Sequence, residues 1–181
     1  MFKLDIRKVR SLMYVRRLNF ERCNRYENVA EHSFYVGVMA YRIAIDQGLG
    51  EEEARYCLKM GLMHDMPEAV TGDIPFLVRR AMGKMAVVGL DEMGAKELNI
   101  SLGTDSRTLE IVKLADILEF ALYLKEETVS GNRHLQPIYC ETLGRLLEYL
   151  EMYGDSIENI LGIPRSTILE VAKALPKEIK H

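Results

Sequence analysis

An all-α fold, one compact helical bundle, is predicted by three features of this 181-residue chain. Apolar residues recur at the three-and-four spacing of amphipathic helices along nearly the whole length. Glycines and prolines fall between those runs, where helices stop and start. No stretch shows the strict alternation of a half-buried strand, and no internal repeat or low-complexity tract interrupts the pattern.

Each element follows from its own residues. Asp5 to Val15 carries Ile6, Val9, Leu12 and Met13 on one stripe and reads as a helix. A polar connection runs from Arg16 to Arg25. A second helix spans Asn28 to Gln47, with Val29, Val36, Met39, Ala40 and Ile43 inward, and Gly48 and Gly50 stop it. Glu51, Glu52 and Glu53 open the third, where acids complement the N-terminal dipole. Pro67 forces that helix to end or kink at His64 to Met66.

After the Gly72-Asp73-Ile74-Pro75 turn, short and medium helices are expected over Phe76 to Met82 and Met85 to Leu98. A long helix covers Arg107 to Val129, with Asp105 or Ser106 as its cap. Another spans Pro137 to Tyr153, proline lying near its first turn. Pieces over Ile157 to Leu161 and Ser166 to Leu175 finish the chain. The whole, residues 1–181, is expected to form a single domain, with a functional core at about 17–132 and C-terminal helices at 137–175.

Composition narrows the class. A formal net charge of -3 leaves no basic footprint for duplex nucleic acid, so stable nucleic-acid binding is not expected. No apolar run has the length of a membrane span, and no secretory h-region is present. Cys23, Cys57 and Cys140 are odd in number and too scattered for a zinc knuckle, which fits reduced thiols and a cytoplasmic location. Arg7, Lys8, Arg10, Arg16, Arg17, Arg22 and Arg25 crowd the N-terminal region; most are expected to be solvated, leaving room for a local anion contact.

The chemistry concentrates in Gly61 to Pro75, where His64, Asp65, Glu68 and Asp73 fall within one short span. His32 lies upstream, and Asp116 lies alone in the apolar run Ile111 to Leu118. Two imidazoles and two carboxylates form the mixed N/O set that suits a first-row divalent metal, and bundles build such sites from facing helices. Each residue also has an ordinary reading. Asp65 and Glu68 make a fair capping box, His32 singly reads as a surface histidine, and Asp116 could pair with Lys113. Asp116, however, shares a stripe with Leu109, Val112, Phe120 and Tyr123, and an inward carboxylate is costly unless neutralised. One shared cause, a metal, outweighs four coincidences.

The motifs Glu31-His32-Ser33, His64-Asp65-x-x-Glu68-x-x-Thr71-Gly72-Asp73-Ile74-Pro75 and Val112-Lys113-x-Ala115-Asp116 resemble the HD-domain superfamily. They are most similar to its YfbR-like 5'-deoxynucleotidases and phage dATP triphosphohydrolases. The resemblance runs from about Arg17 through Asn132. It implies His32, His64, Asp65 and Asp116 as metal ligands, Glu68 as the acid that handles the attacking water, and Arg17 as the phosphate-orienting cation. It places Asp73, Ile74, Pro75 and Phe76 in the loop that holds sugar and nucleotide, beside His32 and Asp116. Some members carry tryptophan where this chain has Leu18; the chain contains no tryptophan, and Phe20 could supply an aromatic wall or sit in the core.

The expected activity is hydrolysis of the 5'-phosphate ester of a deoxynucleotide. The ligand set suits manganese, cobalt, zinc, iron or nickel alike, and Glu68 with Asp73 leaves open a second metal such as magnesium. A non-catalytic, metal-containing nucleotide sensor on a helical scaffold is the alternative. An alarmone or cyclic-nucleotide hydrolase ranks lower, because Ala69 follows Glu68 where alarmone hydrolases carry adjacent acids. Ile168, Val171 and Leu175 are expected to be exposed, which suggests self-association into a dimer or larger homo-oligomer.

Overall fold

The computed structural model describes residues 4–101, 103 and 105–174, apart from the side chains of Phe76, Leu77, Ala172 and Ala174. Among them the architecture is all-α, and the one extended feature is an isolated antiparallel bridge between Arg16 and Asn28. Ten α-helices follow in order: α1 (Ile6–Arg10), α2 (Val29–Asp46), α3 (Glu51–Met63), α4 (Glu68–Thr71), α5 (Phe76–Met82), α6 (Lys84–Leu98), α7 (Ser106–Val129), α8 (Gln136–Arg145), α9 (Leu150–Leu161) and α10 (Arg165–Ala174).

The caps explain the starts. Asn28 and Glu31 form a reciprocal capping box at α2, and the Asp105 side chain accepts from the Thr108 N–H at α7 (2.8 Å). The Gly48 and Gly131 turns after α2 and α7 carry positive φ (72° and 97°), a conformation that glycine adopts without strain.

Packing, more than caps, sets the arrangement. α2, α3 and α7 surround one core: Val36, Ala40 and Ile43 meet Ala54 and Cys57 of α3 and Ile111, Leu114, Ala115 and Leu118 of α7. Leu143, Leu146, Tyr153, Ile157 and Ile168 close it from the C-terminal side. Each fully buried Leu or Ile contributes about 1.5–3 kcal/mol, more than the ~1 kcal/mol of a good cap. The three helices that carry the candidate ligands are therefore held by the core itself.

Four expectations are corrected. The N-terminal helix breaks after Arg10 into a 3-10 turn, Ser11–Tyr14, and of its stripe only Leu12 is buried while Ile6 and Met13 face solvent. The helix expected over Pro137 to Tyr153 is interrupted after Arg145 by a 3-10 turn, Leu146–Tyr149, that bends the chain around the core; α9 then runs unbroken to Leu161. Phe20 is no core residue, being 80% exposed in the connection after Leu18. Ile168 is fully buried in the chain's own core and Val171 packs against it, so neither offers a free face for self-association; Leu175 lies outside the described residues. No described helix is long and apolar enough to cross a membrane.

Candidate metal centre and active site

α3 ends at Met63, so His64 and Asp65 sit where the last-turn carbonyls have no helical donor. The Nδ1–H of His64 uses one of them, donating to Gly61 O at 2.7 Å. A carbonyl only accepts, so this bond fixes the tautomer and leaves the Nε2 lone pair facing outward from the turn. His32, in the first turn of α2, is completely buried, which overturns the surface reading. Its ring centroid lies 5.3 Å from that of His64.

The two Nε2 atoms point at carboxylates without bonding to them. His64 Nε2 is 3.1 Å from Asp65 Oδ2, and His32 Nε2 is 3.5 Å from the same oxygen and 3.2 Å from Asp116 Oδ1. Yet both nitrogens are buried and lack a hydrogen-bond partner. Ligand atoms of His32, His64 and Asp65 all lie within 4.8 Å of one another. Close contacts without hydrogen-bond geometry are what results when donor atoms face a shared point between them. His32, His64 and Asp65, with Asp116 beside His32, make a mixed N/O set whose chemistry fits a divalent transition ion. Asp116 forms no ion pair with Lys113 among the described residues and instead faces His32.

The electrostatics agree. Burial pushes Asp65 up, but His64, His32 and Arg17 outweigh it and hold the carboxylate below its usual range. Asp116 is held at about 2, because His32, His64 and Arg17 overcome its burial. Both are ready anionic ligands.

Glu68 does not cap a helix. Pro67 occupies the N-cap position of α4, and the Asp65 side chain is turned towards the histidines, so the capping-box reading fails. Glu68 is buried, with Oε2 unpartnered. Burial first, then the negative charges of Asp65 and Asp73, push its carboxyl up to about 9. Its surroundings thus favour the protonated form more than water would. Asp73 is likewise raised, chiefly by burial, and lies in the loop beside Asn19, whose amide donates to Asp73 O at 3.4 Å. Ile74 and Pro75 are half-buried in the same loop; the Phe76 side chain lies outside the described residues.

Arg17 reaches the cluster from the N-terminal connection. The Arg17 N–H donates to Glu27 O (3.0 Å) and the Val29 N–H to Val15 O (2.9 Å), stitching this segment to the entry of α2. The guanidinium then lies 3.5 Å from Asp65 Oδ2 and 3.4 Å from Glu27 Oε2, over the Phe120 ring. Leu18, with a left-handed φ of 48°, packs beside the cluster of Tyr123, Leu124 and Leu135. Nothing in its position provides a flat wall equivalent to an indole.

Three glutamates were not anticipated. Glu119 accepts from His32 Nδ1, and Glu27 sits beside both, 3.9 Å from that nitrogen. Burial and Glu119 push Glu27 up to about 8, while His32 keeps Glu119 low despite its burial. Glu127 accepts the Asn24 and Arg25 N–H groups and the Asn132 amide, anchoring the connection that carries Arg17. The signal that marked Asp116, an acid inside an apolar run, applies equally to Glu119 three residues on.

These features define a helical protein in which two histidines and two aspartates that could hold a metal converge beside an acid and an arginine. The chain belongs to the HD-domain family, whose model, described as HD domain, matches residues 9–129. It is 28% identical over 141 residues to a dATP triphosphohydrolase of Acinetobacter phage SH-Ab 15497, covering 70% of this chain and 69% of that protein. It is 29% identical over 132 residues to the 5'-deoxynucleotidase YfbR of Salmonella arizonae, covering 62% and 66%. In fold it resembles the cyanophage S-2L HD phosphohydrolase DatZ, solved with dA and one catalytic Zn2+ ion: the TM-score is 0.69 at 16% identity, over 97% of this chain and all of that one.

Proposed function

We propose that this protein is a metal-dependent phosphohydrolase that cleaves the 5'-phosphate ester of 2'-deoxynucleotides. It would release the nucleoside with phosphate from a monophosphate, or with triphosphate from a dNTP. The observation that carries this reading is the convergence of unbonded His32 and His64 Nε2 atoms with Asp65 and Asp116, next to a buried, unpartnered Glu68 and an inward Arg17. The relatives' named activities on dATP and 5'-deoxynucleotides support the substrate class.

When bound, a divalent ion lowers the pKa of water and masks phosphate charge. Arg17, with its fork of N–H donors, holds a non-bridging phosphate oxygen in place of the Asp65 and Glu27 contacts. Glu68, buried beside the ligands, takes the proton that the attacking water loses and passes it to the departing 5'-oxygen in the same turnover. Asp73, Ile74 and Pro75 line the loop facing the sugar. Zinc is supported by the cyanophage neighbour.

The test is a panel of dNMPs and dNTPs of every base, with the ribonucleotides alongside, assayed with Zn2+, Co2+ or Mn2+. Nucleoside release from at least one substrate, lost in Asp65→Ala and Glu68→Ala, is expected. Silence across the panel with metal bound would leave a nucleotide-binding protein without turnover.

A further inference from the structure

The two histidines are oriented by different means, and position along a helix explains why. His64 follows the C-terminus of α3, where backbone carbonyls are free, and Gly61 O suffices. His32 is in the first turn of α2, where the free backbone groups are N–H donors and the carbonyls are taken by the helix. An imidazole N–H there needs an acceptor from another element. α7 provides it: Asp116 and Glu119 are three residues apart on one face, Asp116 meeting His32 Nε2 and Glu119 meeting Nδ1.

We propose that Glu119 is the positioning residue of the metal centre, its carboxylate holding the His32 Nδ1–H so that Nε2 alone faces the ion. This rests on the metal-centre reading above. Glu27, His32 and Glu119 could be taken for a separate ion site, since their donor atoms also cluster. But Nδ1 and the Glu119 oxygen are already in direct hydrogen-bond contact, which leaves no space for an ion between them. The contact is fully buried, with Glu119 4% exposed, so solvent cannot substitute for the lost acceptor. Partners of this kind fix ring orientation and raise ligand basicity, and their loss costs about 10–100-fold in metal affinity.

The experiment compares wild type, Glu119→Gln and Glu119→Met. Zn2+ and Co2+ affinities are measured by chelator competition, the Co2+ d–d absorption spectrum is recorded, and the metal-free proteins are melted. Glu119→Met is expected to bind both ions about 10–100-fold more weakly with an altered Co2+ spectrum. Glu119→Gln, which keeps an acceptor oxygen and the side-chain shape, is expected to fall between and to carry the test if the methionine variant does not fold. Wild-type affinity and spectrum in both folded variants would overturn the proposal, as would weaker binding with an unchanged Co2+ spectrum. A wild type that holds neither ion would instead overturn the metal-centre reading underneath.

Discussion

Gly37 and Gly61 touch backbone to backbone where α2 crosses α3. A Cβ built on Gly61 would lie 2.7 Å from Gly37 Cα and 3.0 Å from Val36 O, neither of which can yield without separating the helices. The crossing lies five residues after His32 and three before His64, so it also sets the gap between the two imidazoles. Gly61→Ala is expected to cost about 1–3 kcal/mol, the range of core overpacking, and to weaken metal binding in whatever protein still folds. Urea titration and chelator competition read the two effects separately.

A second close approach controls the acid. A Cβ on Gly94 of α6 would fall 2.7 to 2.8 Å from Pro67, the residue immediately before Glu68. Gly94→Ala should push the Pro67 turn and displace the carboxyl while leaving the ligands of α2 and α7 in place. The expected result is a kcat lowered by about 10–100-fold with Zn2+ affinity nearly unchanged. A kcat equal to wild type would show that the turn relaxes elsewhere.

Glu68→Gln removes the proton donor at constant shape. Turnover is expected to fall about 10²–10⁴-fold, the span typical of a lost general acid–base group, with metal content retained. Elemental analysis beside single-turnover kinetics distinguishes a chemical defect from a lost ion.

The acid limb of stability is expected to run partly through Glu127. Burial works against its charge, but the Asn132 amide and the Asn24 and Arg25 N–H groups hold its pKa below the ordinary value. A depressed folded pKa means that the contribution is complete above the unfolded pKa and fades as pH falls through the folded one. Glu127→Gln should therefore be destabilised by about 1 kcal/mol at pH 7 and draw level with wild type as pH falls below about 4. Urea midpoints across that range check the sign.

Reading the sequence alone went furthest where local chemistry and tertiary structure agree. Pro67 ends a helix in any context, and the helix does break between His64 and Met66. Asp116 stood out because an acid among Ile111, Val112, Leu114 and Ile117 demands a partner. The Leu146–Tyr149 bend was hidden because every residue there is helix-compatible, and only the shape of the core turns the chain. The role of Glu119 was hidden for a related reason: it depends on the first turn of α2 lacking free carbonyls next to His32, which appears only once α2 and α7 are side by side. Exposure of Ile168 could not be judged from its helix alone, since its burial depends on α8 and α9 lying against it.

Side-chain accessibility is graded across the four candidate ligands: none at His32, 17% at His64, 18% at Asp65 and 34% at Asp116. The cluster is thus open to solvent on its Asp116 side and closed on its His32 side, so a small solute approaching from outside meets carboxylate oxygen before it meets imidazole.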